Sequence, residues 1–286
     1  MTDSSTPGRA PALQSPEFGL ALGLVVGRFA IGMNDLHYGY WTDDLELTPQ
    51  NLPLAQARYT DELMHDIPAG VRSVLDVGCG AGNTARKLLD RGLHVDCVSP
   101  NAYLTAEARK VLGGRARVFE SKFEDLTLDR SYDLILFSES FLFMKAEPAL
   151  AKAEAGLVPG GYILISDIFK LPTNAASPIG GGQSFPKYQA LMGQSRFELL
   201  KDTDITERIA PTFDLLNRAY AEAIRPAYDL ILARTQASYP WLMRVVRWKF
   251  RDKIRRYEEK HFSGKRDGAH FRRHKSYRRM LYRLRP

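Results

Sequence analysis

The sequence predicts an α/β fold in which a doubly wound, mostly parallel sheet is covered by helices on both faces. Four short runs of β-branched and other apolar residues, 73–77, 94–98, 132–137 and 162–168, recur with helix-length segments between them, and a weaker run lies at 117–120. Strands that alternate with helices in this way are typical of parallel sheets. A glycine-rich turn directly after the first run is the second indication, because such sheets bind ligands beyond the carboxyl ends of their strands.

The composition fits one enlarged domain. Of the 286 residues, 44% are hydrophobic, 26% charged and 10% aromatic, which excludes intrinsic disorder, collagen and small disulfide scaffolds. A single hydrophobic core stops growing at roughly 250 to 300 residues, so we expect one core with additions. The two cysteines, Cys79 and Cys97, lie in segments that we expect to be buried. We therefore expect reduced packing thiols and a cytoplasmic protein.

The charge is distributed unevenly along the chain. Residues 241–286 carry 17 Lys and Arg against 4 Asp and Glu, a balance of +13, whereas the chain as a whole carries +7. An acidic body is therefore followed by a basic C-terminal region. Nucleic acid, anionic lipid and acidic small molecules all suit such a region, and composition does not choose among them.

The N-terminal region combines a polar arm with an apolar stretch. Residues 1–16 are rich in Ser, Thr and Pro, so we expect a flexible arm. The stretch 18–33 contains Arg28 and is shorter than the ~20 residues that cross a bilayer. It reads either as an amphipathic helix docked on the body or as a helix in a membrane interface. The polar start argues against a secretory signal.

Further helices and strands complete the predicted order. A helix at 55–66 precedes the first strand, and the segments 84–91, 106–112 and 149–156 are the helices between strands. The Gly- and Pro-rich loop 177–186 is either a lid over the site or a passive surface loop. After it we expect a strand at 197–206, helical residues 207–236 with a break at Pro226, a basic amphipathic helix at 241–261 and a last strand at 277–284.

The most informative run is VLDVGCGAGN, residues 74–83, in which an apolar strand enters a turn and a helix follows. Gly78, Gly80 and Gly82 have no Cβ, so they allow positive φ and let backbone amides approach a ligand closely. The spacing is Gly-x-Gly-x-Gly, with Asp76 two residues before it, and differs from the Gly-x-Gly-x-x-Gly of dinucleotide sites. The run therefore predicts a nucleotide-like ligand at this turn; a dinucleotide such as NAD and a purely structural turn are the alternatives.

This run resembles motif I of the class I S-adenosylmethionine-dependent methyltransferases, whose fold is Rossmann-like. In that family the first acid organises the turn and helps to recognise the amino acid end of the cofactor. The resemblance implies S-adenosylmethionine as the cofactor and Asp76, Gly78, Gly80 and Gly82 as its contacts. It also implies a division into the arm 1–16, a helical and aromatic segment 17–51, a cofactor-binding core 52–206, a helical cap 207–276 and a final core strand 277–286.

The segments after the second and third strands extend the resemblance. Ser99 and Pro100 are similar to the Ser-Pro of many small-molecule methyltransferases, and the position of the family's ribose-binding acid holds Cys97. Ser99 is therefore the substitute candidate for a cofactor contact. After the third strand, the resemblance implies Phe123 as a wall for the adenine and Glu124 as its polar partner.

The segment after the fourth strand resembles the tocopherol, sterol and cyclopropane-type branch of this family. Glu139 and Ser140 match the Glu-Ser of that branch, whereas its following Glu-His pair is replaced by Leu142 and Phe143. The resemblance implies Ser138 as a cofactor contact. Upstream, residues 34–41, NDLHYGYW, resemble the His-x-Gly-x-Trp segment that folds over the cofactor.

The aromatic residues of that upstream segment are candidates for cofactor and substrate contacts. The resemblance implies Tyr38 beside the cofactor and Tyr40 and Trp41 beside the substrate, because aromatic walls stabilise a sulfonium and exclude water. The alternative is that these rings pack the N-terminal segment on the sheet. Both readings remain open for each residue.

The chemistry implied is an in-line displacement that gives S-adenosylhomocysteine. Alignment of the reactants contributes ~7 to 11 kcal/mol to such reactions, and a base is needed only when the acceptor loses a proton. Glu139 and His37 are the candidates for that base; the alternatives are hydrogen bonding to the cofactor or a helix end for Glu139 and a structural role for His37. The sequence shows no metal-ligand spacing.

The predicted function is methyl transfer to a small-molecule or lipid acceptor. RNA methylation through the basic C-terminal region, or a non-catalytic protein of the same fold, are the alternatives. Nucleic acid is disfavoured because the Asn/Asp/Ser-Pro-Pro-aromatic tetrapeptide of amino-directed nucleic acid methyltransferases is absent after the fourth strand. Peripheral membrane contact through the N-terminal apolar segment and the basic C-terminal helix is a further expectation.

Overall fold

The computed structural model describes residues 15–173 and 177–286. Its centre is an eight-stranded sheet in the order β3-β2-β1-β4-β5-β8-β7, with β6 paired to the end of β5. The core strands pair in parallel, whereas β8 runs antiparallel between β5 and β7. The strands are β1 Ser73–Val77, β2 His94–Ser99, β3 Arg117–Glu120, β4 Tyr132–Ser138, β5 Leu157–Lys170, β6 Gln183–Ser184, β7 Phe197–Asp204 and β8 Lys275–Leu284.

Helices cover both faces of this sheet, as the α/β prediction requires. The helices are α1 Ser15–Ile31, α2 Leu52–His65, α3 Asn83–Asp90, α4 Ala102–Leu112, α5 Ala146–Gly156, α6 Phe185–Gln194, α7 Thr206–Ala219, α8 Arg225–Ser238, α9 Pro240–Phe262 and α10 Gly268–His274. β2 and β4 lie on opposite sides of β1, so the strand order reverses at β1. In such sheets this reversal opens the ligand-binding crevice. The doubly wound fold is thereby confirmed.

The core strands are apolar throughout because both sides of each strand are covered. In β1, Val74 packs into the core formed with α2, α3 and α4, whereas its neighbour Leu75 packs into the core formed with α5 and α6. Successive side chains of a strand point to opposite faces, so a doubly covered strand needs apolar residues at every position. This is why the runs in the sequence are continuous rather than alternating.

The cap between β7 and β8 contains the predicted helices with one difference. The expected break at Pro226 takes the form of a π turn at Tyr220–Ile224, and α8 begins immediately after it, with Pro226 in its first turn. Proline lacks an N–H and collides with the carbonyl four residues earlier, and a wider π turn relieves both problems. The chain therefore continues as helix where an interruption was expected.

The N-terminal segment connects α1 to the core. Residues 1–14 of the predicted arm lie outside the described residues, and α1 already begins at Ser15. After α1, the chain runs irregularly between α2 and α7, where Tyr40 N donates to Ala55 O and Trp41 N donates to Arg208 O. Among the residues described, none of the helices has the length and apolar character to cross a membrane.

Candidate active site

The glycine-rich turn after β1 adopts a conformation that only glycine takes easily at three positions. Gly78, Gly80 and Gly82 have φ of 80°, 54° and 84°. A Cβ on Gly78 would lie 2.3 Å from Ser140 Cβ, and one on Gly82 would lie 3.1 Å from Ala108 Cα, so close packing requires both glycines. A Cβ on Gly80 would meet nothing within 4 Å. The turn therefore borders open space at Gly80, as a ligand cradle would.

Asp76 is a buried carboxyl at the end of β1 with unmet hydrogen-bonding capacity. Asp76 is only 2% exposed, and its side-chain Oδ2 has no hydrogen-bond partner among the described residues. Burial raises its pKa to about 7. A buried carboxylate without donors is unfavourable. A cationic donor on a ligand would satisfy it, so the residues fit the amino end of S-adenosylmethionine.

The end of β2 places two polar residues beside this turn. Ser99 is buried and follows Val98, whose carbonyl accepts a hydrogen bond from Gly78 N at 2.7 Å. Asn101, which the sequence argument did not single out, has a buried Nδ2 without a partner in the described chain. The sequence feature that could have identified Asn101 is its position two residues after Ser99, at the same strand end. Asp96 is turned away from the turn and bonds Arg117 and Tyr132.

The segment after β3 is more buried than its predicted role suggests. Phe123 lies in the core, with its ring edge-on to Phe137 at a centroid distance of 5.5 Å. Glu124 is half-buried next to it. Their contacts with an adenine stay predictions.

Glu139, directly after β4, is the non-glycine residue with a positive φ in the described chain, at 53°. Such strain is concentrated at functional sites. Its Oε1 accepts hydrogen bonds from Tyr38 N at 2.9 Å and Tyr277 Oη at 2.8 Å. Burial raises its pKa to about 8, although these two hydrogen bonds oppose the shift. The carboxyl group therefore binds a proton near neutral pH, as a general base must during turnover.

A network of tyrosine and serine hydroxyls surrounds this carboxyl group. Tyr59 Oη lies 2.7 Å from Ser166 Oγ, 3.1 Å from Ser138 Oγ and 2.9 Å from Tyr277 Oη. Ser138, predicted as a cofactor contact, thus has a hydroxyl partner in the protein. Tyr59 and Tyr277 lie on a helix before the core and on the last strand, so they were not among the predicted site residues. No local pattern signals that Tyr277 bonds Glu139 or that Tyr59 bonds Tyr277.

His37 lies next to this network but both of its ring nitrogens are engaged. Nδ1 is 2.9 Å from Tyr38 O, which only accepts, so Nδ1 carries the proton. Nε2 is then the acceptor, 3.2 Å from Thr60 Oγ1. Burial lowers the pKa of His37, so the ring is held neutral. The ring also packs on Tyr59 at 4.4 Å, an arrangement that positions the segment; the role of His37 as a base stays a prediction.

The three aromatic residues of the N-terminal segment take different positions. The Tyr38 ring packs 4.8 Å from Phe213 while its backbone contacts Glu139. Tyr40 is half-buried. Trp41 is buried, and its Nε1 donates to Thr212 Oγ1 at 2.9 Å. Trp41 also lines a surface cavity of about 530 Å³ between this segment and α7. Packing thus accounts for the contacts of Trp41, and substrate contact stays a prediction for Tyr40 and Trp41.

The described part of the predicted lid, residues 177–186, lies against the turn after β4. Gln183 Nε2 donates to Phe141 O at 3.0 Å and to Met144 O at 3.2 Å. Lys275 Nζ donates to Gly181 O at 2.6 Å. Beside this loop, Asp167 is buried, which raises its pKa to about 7. The loop therefore closes one side of the same strand ends that carry Glu139.

Metal chemistry has no candidate ligand set here. Within residues 15–173 and 177–286, no group of three His, Cys, Asp or Glu side chains is arranged to hold a metal ion. The site consists of the glycine-rich turn, the buried Asp76 with its unpartnered Oδ2, and the half-buried Glu139, at neighbouring strand ends.

Comparison with known proteins identifies the family of this chain. A methyltransferase domain model matches residues 74–161. Methyltransferase GfsG of Streptomyces halstedii is 31% identical over 225 residues, 71% of this chain and 77% of that protein. O-methyltransferase resE of Aspergillus sclerotiorum is 23% identical, over 64% of this chain and 76% of its own length.

A solved structure agrees with the fold. Geranyl diphosphate C-methyltransferase from Streptomyces coelicolor A3(2), crystallised with Mg²⁺, geranyl diphosphate and S-adenosyl-L-homocysteine, superposes with a TM-score of 0.66. The match covers 96% of this chain and all of that chain at 15% identity. The glycine-rich turn and the similarity to GfsG lead to the same conclusion: the chain is an enzyme of the methyltransferase class and belongs to the class I S-adenosylmethionine-dependent methyltransferases.

Proposed function

We propose that this enzyme methylates a small-molecule or lipid acceptor that loses a proton, such as a hydroxyl group or an acidic C–H group. The observation that carries the proposal is the half-buried Glu139 at the carboxyl end of β4, whose carboxyl group accepts hydrogen bonds from Tyr38 N and Tyr277 Oη and has its pKa raised to about 8 by desolvation. A group that titrates near the operating pH is well matched to general base catalysis. The relative named as an O-methyltransferase supports an oxygen acceptor.

The residues of the glycine-rich turn would hold the cofactor. Asp76 Oδ2 would accept from its cationic amino group, the space beside Gly80 would admit it, and Ser99, Phe123, Glu124, Ser138 and Tyr38 remain the other predicted contacts. The sulfonium of S-adenosylmethionine supplies an activated methyl group. The protein's task is then to align the acceptor, exclude water and accept one proton.

Glu139 performs the proton transfer in this proposal. Its Oε1 is occupied by Tyr38 N and Tyr277 Oη, so Oε2 is the oxygen that faces the acceptor. The acceptor atom bonds to the methyl carbon as the carbon–sulfur bond breaks, and the acceptor's proton moves to Oε2. The products are the methylated acceptor and S-adenosylhomocysteine, and Glu139 returns its proton to solvent.

The test combines cofactor binding with turnover. Calorimetric titration with S-adenosylmethionine is expected to show binding to the wild type and to Glu139→Gln, because the amide preserves the shape of the side chain. Incubation with labelled S-adenosylmethionine and fractionated host extract is expected to label the lipid or the aqueous small-molecule fraction. In Glu139→Gln the labelling rate should fall by roughly 10²- to 10⁴-fold, the usual contribution of a general base.

A matched control is Glu198→Gln, which changes an exposed carboxylate on β7 in the same way. Its labelling rate should equal that of the wild type. Full activity in Glu139→Gln would remove Glu139 as the base, and label in RNA alone would replace the small-molecule acceptor by RNA. If the wild type binds no S-adenosylmethionine, the proposal fails altogether.

A further inference from the structure

The cap contains a helical hairpin that is almost entirely exposed. The hairpin comprises α8, Tyr239 and α9, residues 225–262, and within this described range only Met243 is buried. Its base is fixed by an aromatic cluster with the π turn, in which the Tyr220 ring stacks on His261 at 5.2 Å and Tyr228 packs on Phe262 at 5.5 Å. The hairpin is thus anchored at its base. Its far end, where α8 and α9 meet at Tyr239, is called the tip, and no ring-to-ring contact is found there among the residues described.

The tip directs an apolar stripe away from the protein. Trp241, Val245 and Trp248 are spaced i, i+4 and i+7, so they share one face of α9, and they are 69%, 49% and 81% exposed. Met243 lies about half a turn around the helix from this stripe, on the side that packs. A surface helix of a soluble protein normally turns its apolar stripe toward the core. Here the stripe faces outward, and none of the residues in 15–173 and 177–286 covers it.

Cations border this stripe. Between 240 and 251 the chain contains Arg244, Arg247, Lys249 and Arg251 and no acidic residue. The ion pairs of α9 involve Asp252 and residues beyond it. Within the described chain, Arg244, Arg247 and Lys249 have no acidic partner within the distance of an ion pair. Tryptophan interleaved with unpaired Arg and Lys is the composition of helices that lie at a membrane interface.

We propose that the tip of this hairpin docks on an anionic lipid surface. The indole rings of Trp241 and Trp248 enter the headgroup region, while Arg244, Arg247 and Lys249 contact lipid phosphates and carboxylates. A second copy of the chain fits poorly, because the cations that border the stripe would repel their counterparts. This inference is independent of the methylation chemistry, since it concerns a surface remote from Glu139 in sequence and in packing.

The three tryptophans allow a direct test on the full-length protein. Trp41 is buried, so its emission reports little on the surroundings, whereas Trp241 and Trp248 face solvent. Vesicles of phosphatidylcholine with 30% phosphatidylserine should shift the emission to shorter wavelength and reduce quenching by acrylamide. Vesicles of phosphatidylcholine alone should produce neither change. Added salt should weaken the effect, because it screens exposed charges.

Variants separate the contributions of the cations and the stripe. The triple variant Arg244→Gln, Arg247→Gln, Lys249→Gln should bind anionic vesicles roughly 100-fold more weakly, since each cation near such a surface contributes about fivefold. The double variant Trp241→Phe, Trp248→Phe should lose the spectral shift but co-sediment with vesicles. The control is Arg91→Gln with Lys187→Gln, which changes exposed cations in the turn after α3 and on α6, and it should lose little binding.

The outcomes decide the proposal. The proposal is supported if the emission shift, the protection from quenching and the co-sedimentation all require anionic lipid and the three cations Arg244, Arg247 and Lys249. Unchanged emission with every vesicle composition overturns it, as does equal loss of binding in the control variant. A spectral change with single-stranded RNA and none with vesicles would also overturn it, by assigning the tip to a nucleic acid.

Discussion

At the scale of single residues, the proton affinity of Glu139 is set by two opposing effects. Burial raises its pKa to about 8, whereas hydrogen bonds from Tyr38 N and Tyr277 Oη favour the ionised carboxylate. We predict that Tyr277→Phe, which removes one donor, raises this pKa further. The rise of kcat/KM with pH should then move to higher pH, while the rate at the alkaline plateau changes less. The measurement is kcat/KM from pH 6 to 10.

The control for this prediction is Tyr282→Phe on the same strand. Its hydroxyl contacts Met280 Sδ at 3.3 Å rather than Glu139, so the pH profile should keep its wild-type midpoint. A purely structural role of Tyr277 would lower the rate equally at all pH values. An unshifted midpoint in Tyr277→Phe would therefore contradict its role as a positioning residue.

The glycine-rich turn gives a second residue-scale prediction, because two neighbouring glycines are required for different reasons. Gly78→Ala places a Cβ 2.3 Å from Ser140 Cβ at a φ of 80°, so we expect a large loss of unfolding free energy. Gly80→Ala meets nothing within 4 Å and costs roughly 1 to 2 kcal/mol of backbone strain. Its main effect should be weaker binding of S-adenosylhomocysteine, since the methyl group enters the cradle.

Urea unfolding and calorimetric titration distinguish the two glycine variants. Gly80→Ala should lower the urea midpoint much less than Gly78→Ala, by the amount that roughly 1 to 2 kcal/mol implies, yet bind S-adenosylhomocysteine at least about tenfold more weakly. Wild-type affinity in Gly80→Ala would show that the ligand does not occupy the open space beside this turn.

At the scale of elements, α1 covers the glycine-rich turn. Leu24 is fully buried and packs on Ala81 of the turn and on Leu104 of α4, and Arg28 pairs with Glu107 at 2.8 Å. Leu24→Ala removes this contact, and such buried truncations cost about 2 to 5 kcal/mol. Because Ala21 and Leu24 are the only buried residues of α1 among those whose burial is described, we predict that the helix detaches locally before the core unfolds.

Hydrogen exchange measures this detachment. Amides of α1 and of residues 78–82 should exchange faster in Leu24→Ala, while those of β1 and β4 keep wild-type rates. Leu22→Ala, on the exposed side of the same helix, should leave all these rates unchanged. Faster exchange throughout the sheet would contradict a local role for α1.

At the scale of the whole molecule, the sequence predicted what local patterns encode. The strands, the glycine-rich turn and the family follow from runs of neighbouring residues, and the carboxyl ends of the strands indicated Asp76 and Glu139. The hydrogen bonds from Tyr277 to Glu139 and between Tyr277 and Tyr59 join residues that are distant in sequence, so no periodicity reveals them. The sequence predicted the basic amphipathic helix at 241–261 and peripheral membrane contact through it. It did not predict that the apolar stripe of α9 faces outward, since the pattern marks an apolar face but not the direction that it takes.

The three buried carboxyl groups should make the stability of the ligand-free protein depend on pH. Burial raises the pKa of Asp76 and Asp167 to about 7 and that of Glu139 to about 8. Over most of the range from pH 6.5 to 8 the folded protein therefore binds more protons than the unfolded chain, whose carboxyls are already ionised. Lys275, whose pKa burial lowers to about 8, opposes this difference near pH 8. The unfolding free energy consequently falls as pH rises through this window, by about 1 to 2 kcal/mol for each group.

Urea unfolding at pH 6.5, 7.2 and 8.0 measures this slope without added cofactor. Buried histidines such as His37 have a lowered pKa and therefore titrate below the window, and carboxyls in ion pairs, such as Asp96, do so as well. Asp76→Asn should flatten the slope by its own share, because the amide does not ionise. A stability that is constant or rises from pH 6.5 to 8 would contradict the raised proton affinity of these carboxyls, and with it the assignment of Glu139 as a base that titrates in the working range.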